Sequence, residues 1–170
     1  MESQKNFKDL ITAWKTVDAR HPDWKLSVYG DGSQKESLQD QIDSMGLKGK
    51  VTLKGRTNDV RKELLGSSCL VMSSRFEGFP MILLEALATG LPIVSYDCPK
   101  GPSEIVTIGA NGYLAKVGDT GTLAQGICSV IANEELRKRF GAESKRRSEN
   151  FSLEKTMEKW DALFKSALKR

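Results

Sequence analysis

Arg75-Phe76-Glu77-Gly78-Phe79-Pro80-Met81-Ile82-Leu83-Leu84-Glu85-Ala86-Leu87-Ala88-Thr89-Gly90 is the stretch whose reading decides the fold. The apolar run from Cys69 to Ser73 precedes it and has the length and composition of a buried strand. The chain breaks at Glu77-Gly78 and restarts as a helix. Pro80 suits the first helical position, where its missing N–H would have had no intrahelical partner. Gly90 suits the helix stop. Glu77 and Gly78 are therefore expected in a loop at a strand's carboxyl end, with Glu85 inside the following helix. In an open α/β sheet that crevice is where ligands bind.

The same alternation extends outward in both directions. Phe7, Leu10, Ile11, Trp14 and Val17 recur at helical spacing and predict a helix over residues 5–20, ended by His21-Pro22. Strands are expected at 24–29, 50–54, 92–96 and 113–117. Between them, a helix led by a Ser33/Glu36 capping box should carry Leu38, Ile42 and Met45. A short helix capped by Thr57 or Asn58 should carry Val60, Leu64 and Leu65. Helices are expected over 122–131 and 134–150. A last one should begin at Ser152, with Leu153, Met157, Trp160, Leu163, Phe164 and Leu168 as its apolar stripe. Strand-helix alternation with short connections predicts an α/β fold: a Rossmann-like, mostly parallel sheet with helices on both faces. Such a domain ordinarily opens on a strand. This chain opens on a helix, so the sheet is expected to lack its first strand.

Composition narrows the function classes. The chain has 170 residues, 39% apolar and 28% charged, which suits one compact domain. No apolar run approaches the ~18–20 residues of a membrane span, and no signal peptide is visible. Cys69, Cys98 and Cys128 are odd in number and lack metal-ligand spacing, so neither a disulfide framework nor a zinc site is expected, and a cytoplasmic location is. The net charge of +4 is compatible with anionic ligands. The basic run around Arg137, Lys138, Arg139, Lys145, Arg146 and Arg147 is most simply a solvated helix face. Its alternative is peripheral contact with the inner face of a membrane. Nucleic-acid binding is not expected, because no aromatic residues interleave with the basic ones.

Several residues could carry chemistry. Gly30-Asp31-Gly32 joins a strand to a helix, so Gly32 is either an ordinary turn residue or a backbone donor to phosphate. Glu85 sits among Met81, Ile82, Leu83, Leu84, Ala86, Leu87 and Ala88. A helix so apolar reads as buried on most sides, and a carboxylate within it needs a polar partner. Sugar or ribose hydroxyls would serve. Glu77 is either a cap or a ligand group near the positive end of the helix dipole. Lys5 and Arg56 are the cations nearest the expected crevice, and each alone could be a surface charge. Arg75 and Lys100 have that same status. His21, the sole histidine, is expected to be structural.

Five motifs in order sharpen this reading: Val28 to Gly32, Val51 to Arg56, Ser73 to Glu85, Ala88 to Val94 and Gly109 to Leu114. Together they resemble the C-terminal, donor-binding half of a retaining glycosyltransferase of GT-B architecture, family 4 type (glycosyl transferases group 1). Two glutamates separated by seven residues mark that type, and Glu77 and Glu85 match them. The resemblance spans nearly the whole chain. It implies that residues 1–170 are a single nucleotide-sugar-binding domain, a fragment of a longer hexosyltransferase. It implies that Glu77 contacts donor-sugar hydroxyls, as the catalytic-site acid. The backbone of Gly78, Phe79, Pro80 and Met81 would hold sugar and phosphate oxygens. Glu85 would bind ribose, and Lys5 the diphosphate. Gly55 and Arg56 would line the nucleobase pocket. The donor implied is a UDP-sugar, a substrate, with no cofactor and no metal. The partner implied is an N-terminal acceptor-binding domain, and the fragment alone is expected to be inactive. The family's diphosphate-binding arginine and the strand before Lys5 have no counterpart here. Two alternatives stand: a nucleotide-sugar binding module without transfer, and a nucleotide-sugar epimerase or phosphorylase-like enzyme of related architecture.

Overall fold

The computed structural model describes residues 3–168. Its strands are β1 (Leu26–Tyr29), β2 (Val51–Gly55), β3 (Leu70–Met72), β4 (Ile93–Tyr96) and β5 (Gly112–Ala115). Every ladder is parallel, and helices cover both faces, as the sequence predicts. The strands do not form one continuous sheet. β1 pairs with β2, and β3, β4 and β5 form a second sheet in that order.

β4 shows why the strands are uniformly apolar. All four of its residues are buried, with Val94 and Tyr96 in one core and Ile93 in the other. A parallel strand covered on both faces has no solvent side to leave polar. The first core takes α1 (Phe7–Arg20), α2 (Lys35–Ser44) and α6 (Thr120–Ala132). Leu10, Ile11, Ala13, Trp14 and Val17 form the buried stripe of α1. His21 closes that helix, its N–H donating to Val17 O at 2.8 Å. The second core takes α3 (Val60–Leu65), α4 (Met81–Thr89) and α5 (Pro102–Ile105). Leu83 and Leu87 of α4 are fully buried there. Each such side chain stabilises the fold by about 1.5–3 kcal/mol relative to exposure.

Three caps differ from expectation. Ser33 and Glu36 do not form a capping box: α2 begins at Lys35 with Gln34 at its cap and no side-chain bond. Asp59 caps α3, accepting from Lys62 N at 2.9 Å, because its carboxylate is a better acceptor than either neighbour for that exposed N–H. Thr57 supports the turn instead, accepting from Asp59 N at 3.1 Å. Pro80 lies one position earlier than expected, at the cap of α4, with φ −77° and ψ 89°. Ser152 does cap α8 (Leu153–Ala167), accepting from Lys155 N at 3.2 Å.

The basic helix α7 (Glu134–Ser148) is not simply a solvated face. Arg137 donates to Val130 O at 2.9 Å and Ile131 O at 2.5 Å, and its guanidinium lies 5.2 Å from the centre of the Trp24 ring. Lys145 donates to Ala88 O at 2.6 Å, and Arg147 to Ile105 O at 3.3 Å. Those carbonyls end α6, α4 and α5. Three cations of one helix thus neutralise the negative ends of three others. Lys138 and Arg146 pair with acids on α7 itself. The stripe of α8 keeps its predicted spacing but is uncovered: Leu153, Met157, Trp160 and Phe164 are all exposed. Among the described residues, no helix is long and apolar enough to cross a membrane.

Candidate functional site

Parallel strands place all their carboxyl ends on one rim. Gly30–Gly32, Gly55–Arg56, Ser73–Gly78 and Cys98–Gly101 follow β1, β2, β3 and β4 there. The site is built around the loop after β3. Gln4 and Lys5 are held beside it by three bonds. Ser73 Oγ donates to Lys5 O at 2.8 Å, Arg75 N to Gln4 O at 2.9 Å, and Gln4 Nε2 to Phe76 O at 2.8 Å. Asn6, buried with φ 51° and ψ 43°, then turns the chain into α1. This places Lys5 Nζ 2.8 Å from Glu77 Oε1. The Glu77 side chain is only 10% exposed and that of Lys5 is 45% exposed, so the ammonium faces solvent while the carboxylate is sheltered. The two residues lie 72 positions apart in sequence and form one charged centre.

Directly after it stands the N-terminus of α4. Pro80 supplies no side-chain cap, and no acid lies in the first turn. Leu83 N donates to Pro80 O at 2.9 Å, and the amides of Met81 and Ile82 have no side-chain cap, so they leave the positive end of the helix open, which is the general geometry of an anion site. The loop after β4 supports this turn from below. Gly101 has φ 109°, and a Cβ there would fall 2.3 Å from Pro80 Cδ, so glycine is needed for the close approach. Cys98 in the same loop is buried. Burial first, then the Glu77 charge, pushes its thiol up from the ordinary cysteine value. Phe76, Phe79 and Met81 are exposed and make an apolar border. Ser74 Oγ, buried beside this loop, has no partner among the described residues.

Glu85 departs from its sequence argument. Leu83, Ala86 and Leu87 are buried, but Met81, Glu85 and Ala88 share an exposed stripe. The helix packs through one side only, and its apolar composition concealed that. Glu85 instead lines an open cavity of about 520 Å³ between α3, α4 and α7. Asn58, Asp59, Arg61 and Lys145 line it as well. Asn58 and Arg61 were not anticipated as site residues, and no spacing in the sequence signals that they face Glu85.

The remaining predicted residues lie on the β1–β2 half. Gly30 N donates to Gly55 O at 2.7 Å, tying the two loops together. Gly32 N donates to Asp31 Oδ1 at 2.9 Å, so this amide is already engaged. Arg56 is exposed on the same rim, as are Arg75 and Lys100 around the other loops. The structure thus joins Lys5, Glu77, Gly78, Phe79, Pro80 and Met81 in one place. It sets Glu85 farther along α4, and Gly32, Gly55 and Arg56 across the break in the sheet. Gln4, Ser73 and Gly101, which position this centre, gave no functional signal in sequence. Among the described residues, no cluster of His, Cys, Asp or Glu is arranged to hold a metal ion.

Comparison with known proteins identifies the family and the fold. A glycosyltransferase of uncharacterised specificity from Haemophilus influenzae is 32% identical over 161 residues, which is 95% of this chain and 46% of that protein. The lipopolysaccharide 1,6-galactosyltransferase of Escherichia coli K12 is 35% identical over 137 residues, 78% of this chain and 37% of its own length. The chain thus spans less than half the length of these relatives. Among solved structures, a mutant of S. aureus TarM, in complex with Fondaparinux, alpha-GlcNAc-glycerol and UDP, superposes with a TM-score of 0.91. It is 30% identical, and the match covers 96% of this chain and 34% of that one. Residues 1–147 match the family described as glycosyl transferases group 1. With a doubly covered parallel sheet and neighbours of GT-B architecture, the chain belongs to the glycosyl transferases group 1 family.

Proposed function

We propose that this chain is the donor-binding, C-terminal half of a retaining glycosyltransferase of the family 4 type, taking a UDP-sugar. The observation that carries the reading is the Lys5–Glu77 pair, 2.8 Å apart, beside the uncapped N-terminus of α4. A cation, a sheltered carboxylate and free backbone N–H groups converge there, which is what a sugar joined to a diphosphate requires. The UDP bound to S. aureus TarM supports the choice of nucleotide. The names of several bacterial relatives support a role in surface polysaccharide or lipopolysaccharide assembly.

In this reading Glu77 orients the donor sugar through its hydroxyls. As the bond from the anomeric carbon to the diphosphate oxygen breaks, negative charge accumulates on the leaving group. Lys5 and the first-turn amides of α4 stabilise that charge, and because they are held in place beforehand they need little reorganisation. Glu85, in the cavity beside α3, accepts bonds from ribose hydroxyls. Gly55 and Arg56 border the base. The acceptor hydroxyl arrives from an N-terminal domain, so the 170-residue chain binds donor and transfers nothing.

Calorimetric titration of the chain with UDP, GDP and ADP tests the reading. UDP should bind, and Glu85→Ala should weaken it by about 1–3 kcal/mol, the cost of losing bonds to a charged acceptor. No heat with any nucleotide, or unchanged affinity in the variant, would contradict it. The anomeric configuration of the product, read by NMR with the longer enzyme, tests retention separately.

A further inference from the structure

Among the described residues, only two other than glycine have a left-handed backbone: Asn6, with φ 51°, and Lys100, with φ 65°. Both flank the charged centre. Asn6 follows Lys5 directly, and Lys100 precedes the glycine that packs against Pro80. Asparagine tolerates this conformation better than most residues, yet it persists only where its surroundings hold it. At Asn6 the holding groups are visible. Asn6 stands at the cap position of α1 but makes no side-chain bond to the helix amides. Its Nδ2 donates instead to Asp9 Oδ2 at 2.6 Å. The same oxygen accepts from the hydroxyl of Tyr96 at 3.2 Å. Tyr96, the last residue of β4, is fully buried, and Asn6 is buried as well.

We propose that Asp9 is a positioning residue for Lys5, acting through Asn6; its part in donor binding rests on the function proposed above. Lys5 is fixed from two sides. On the amino-terminal side, Arg75 N donates to Gln4 O and Ser73 Oγ to Lys5 O, which ties the segment to the loop after β3. On the carboxyl side, the turn at Asn6 sets the direction in which the chain leaves Lys5. Asp9 locks that turn and joins it to β4 through Tyr96. Two neighbouring strands, β3 and β4, therefore hold the lysine in common. The chemistry favours a carboxylate in this place. One oxygen accepts two bonds beside a buried ring, and a charged acceptor strengthens both. Without it the buried Tyr96 hydroxyl and the Asn6 amide would each lose an acceptor. The Asn6 turn would then relax toward a right-handed backbone and carry Lys5 away from Glu77. A shift of about 1 Å matters where a cation must meet a phosphate.

Amide hydrogen exchange and UDP titration of the chain, with Asp9→Ala and Asp9→Asn, test this. The amides of Asn6 and Arg75 bond to Ser3 O and Gln4 O. Without nucleotide they should exchange at least about tenfold faster in Asp9→Ala, relative to Val28 in the β1–β2 ladder, because the segment opens locally. UDP should bind Asp9→Ala at least about fivefold more weakly, while uridine, which carries no phosphate, binds both proteins alike. Asp9→Asn keeps an oxygen where Oδ2 stands and should restore UDP affinity to within about threefold. On an Asn6→Gly background, Asp9→Ala should change UDP affinity less than about twofold, since the bond through which Asp9 acts is gone. Unchanged exchange at Asn6 and Arg75 in Asp9→Ala would overturn the inference whatever the nucleotide does. So would full UDP affinity in that variant, or an equal loss for uridine, which is the mark of a general loss of structure. A chain that binds no UDP would refute the donor reading, and with it the part assigned here to Asp9.

Discussion

The charged centre beside α4 makes a quantitative demand on stability. Lys5 Nζ and Glu77 Oε1 are 2.8 Å apart, with side-chain exposures of 45% and 10%. At an effective dielectric of about 20, the gross attraction at that distance is roughly 6 kcal/mol. Desolvating the sheltered carboxylate and ordering a long lysine side chain cancel most of it. Fully exposed pairs retain ~0.2–1 kcal/mol, and breaking a buried pair costs ~3–5 kcal/mol. This pair lies between those limits, so a coupling of about 1–1.5 kcal/mol is expected. The assay is a double-mutant cycle of Lys5→Met and Glu77→Gln by urea unfolding, with slopes compared across the four proteins. Glutamine keeps a hydrogen-bond acceptor for Lys5 and removes only the charge. Lys5→Met should cost more than Glu77→Gln, because it strands a sheltered carboxylate. A coupling below about 0.3 kcal/mol would refute the reasoning, as exposed pairs of no consequence give such values.

Other substitutions probe the frame. Arg137→Met removes two carbonyl caps from α6 and the stacking on Trp24, and should cost about 2–3 kcal/mol in urea unfolding. Gly141→Ala would normally favour a helix by roughly 0.5–1 kcal/mol. Here its Cβ would fall 2.4 Å from Gly90 O where α7 crosses the end of α4, so a net loss of about 1–3 kcal/mol is expected. The buried sulfur of Cys69, in a residue that keeps some surface exposure, gives a pH dependence. Burial pushes its thiol up to about 11, and the nearby Arg137 charge opposes that in part. A thiol whose folded value is raised contributes stability below the unfolded value near 9, and loses it as pH rises toward 11. Urea unfolding at pH 8 and pH 10.5 should show a fall that Cys69→Ala reduces.

Much of the fold was legible because its signals are local. A buried parallel strand needs only a short apolar run, and α1 and α8 announce themselves by stripe spacing. The place of the candidate residues on the rim followed from the strand-to-helix crevice and from the motifs around Glu77. What was not legible depends on contacts between distant segments. Nothing local shows that Lys5 meets Glu77 with 72 positions between them, or that Gly101 passes beneath Pro80. Glu85 misled for the opposite reason. Met81 and Ala88 are apolar in composition yet lie on the outward stripe, so hydrophobicity overstated the burial of α4. The cations of α7 similarly resembled a surface patch until the carbonyls of three other helices came into contact with them.

The claim that α4 and Glu77 form a donor site is tested most directly by mapping amide chemical shifts on addition of UDP-sugar to the chain. The account predicts the largest changes at Gly78, Phe79, Met81 and Ile82, with smaller ones around Asn58 and Glu85. Changes concentrated instead on Ser27, Tyr29 and Val71, or no saturable change at all, would contradict it.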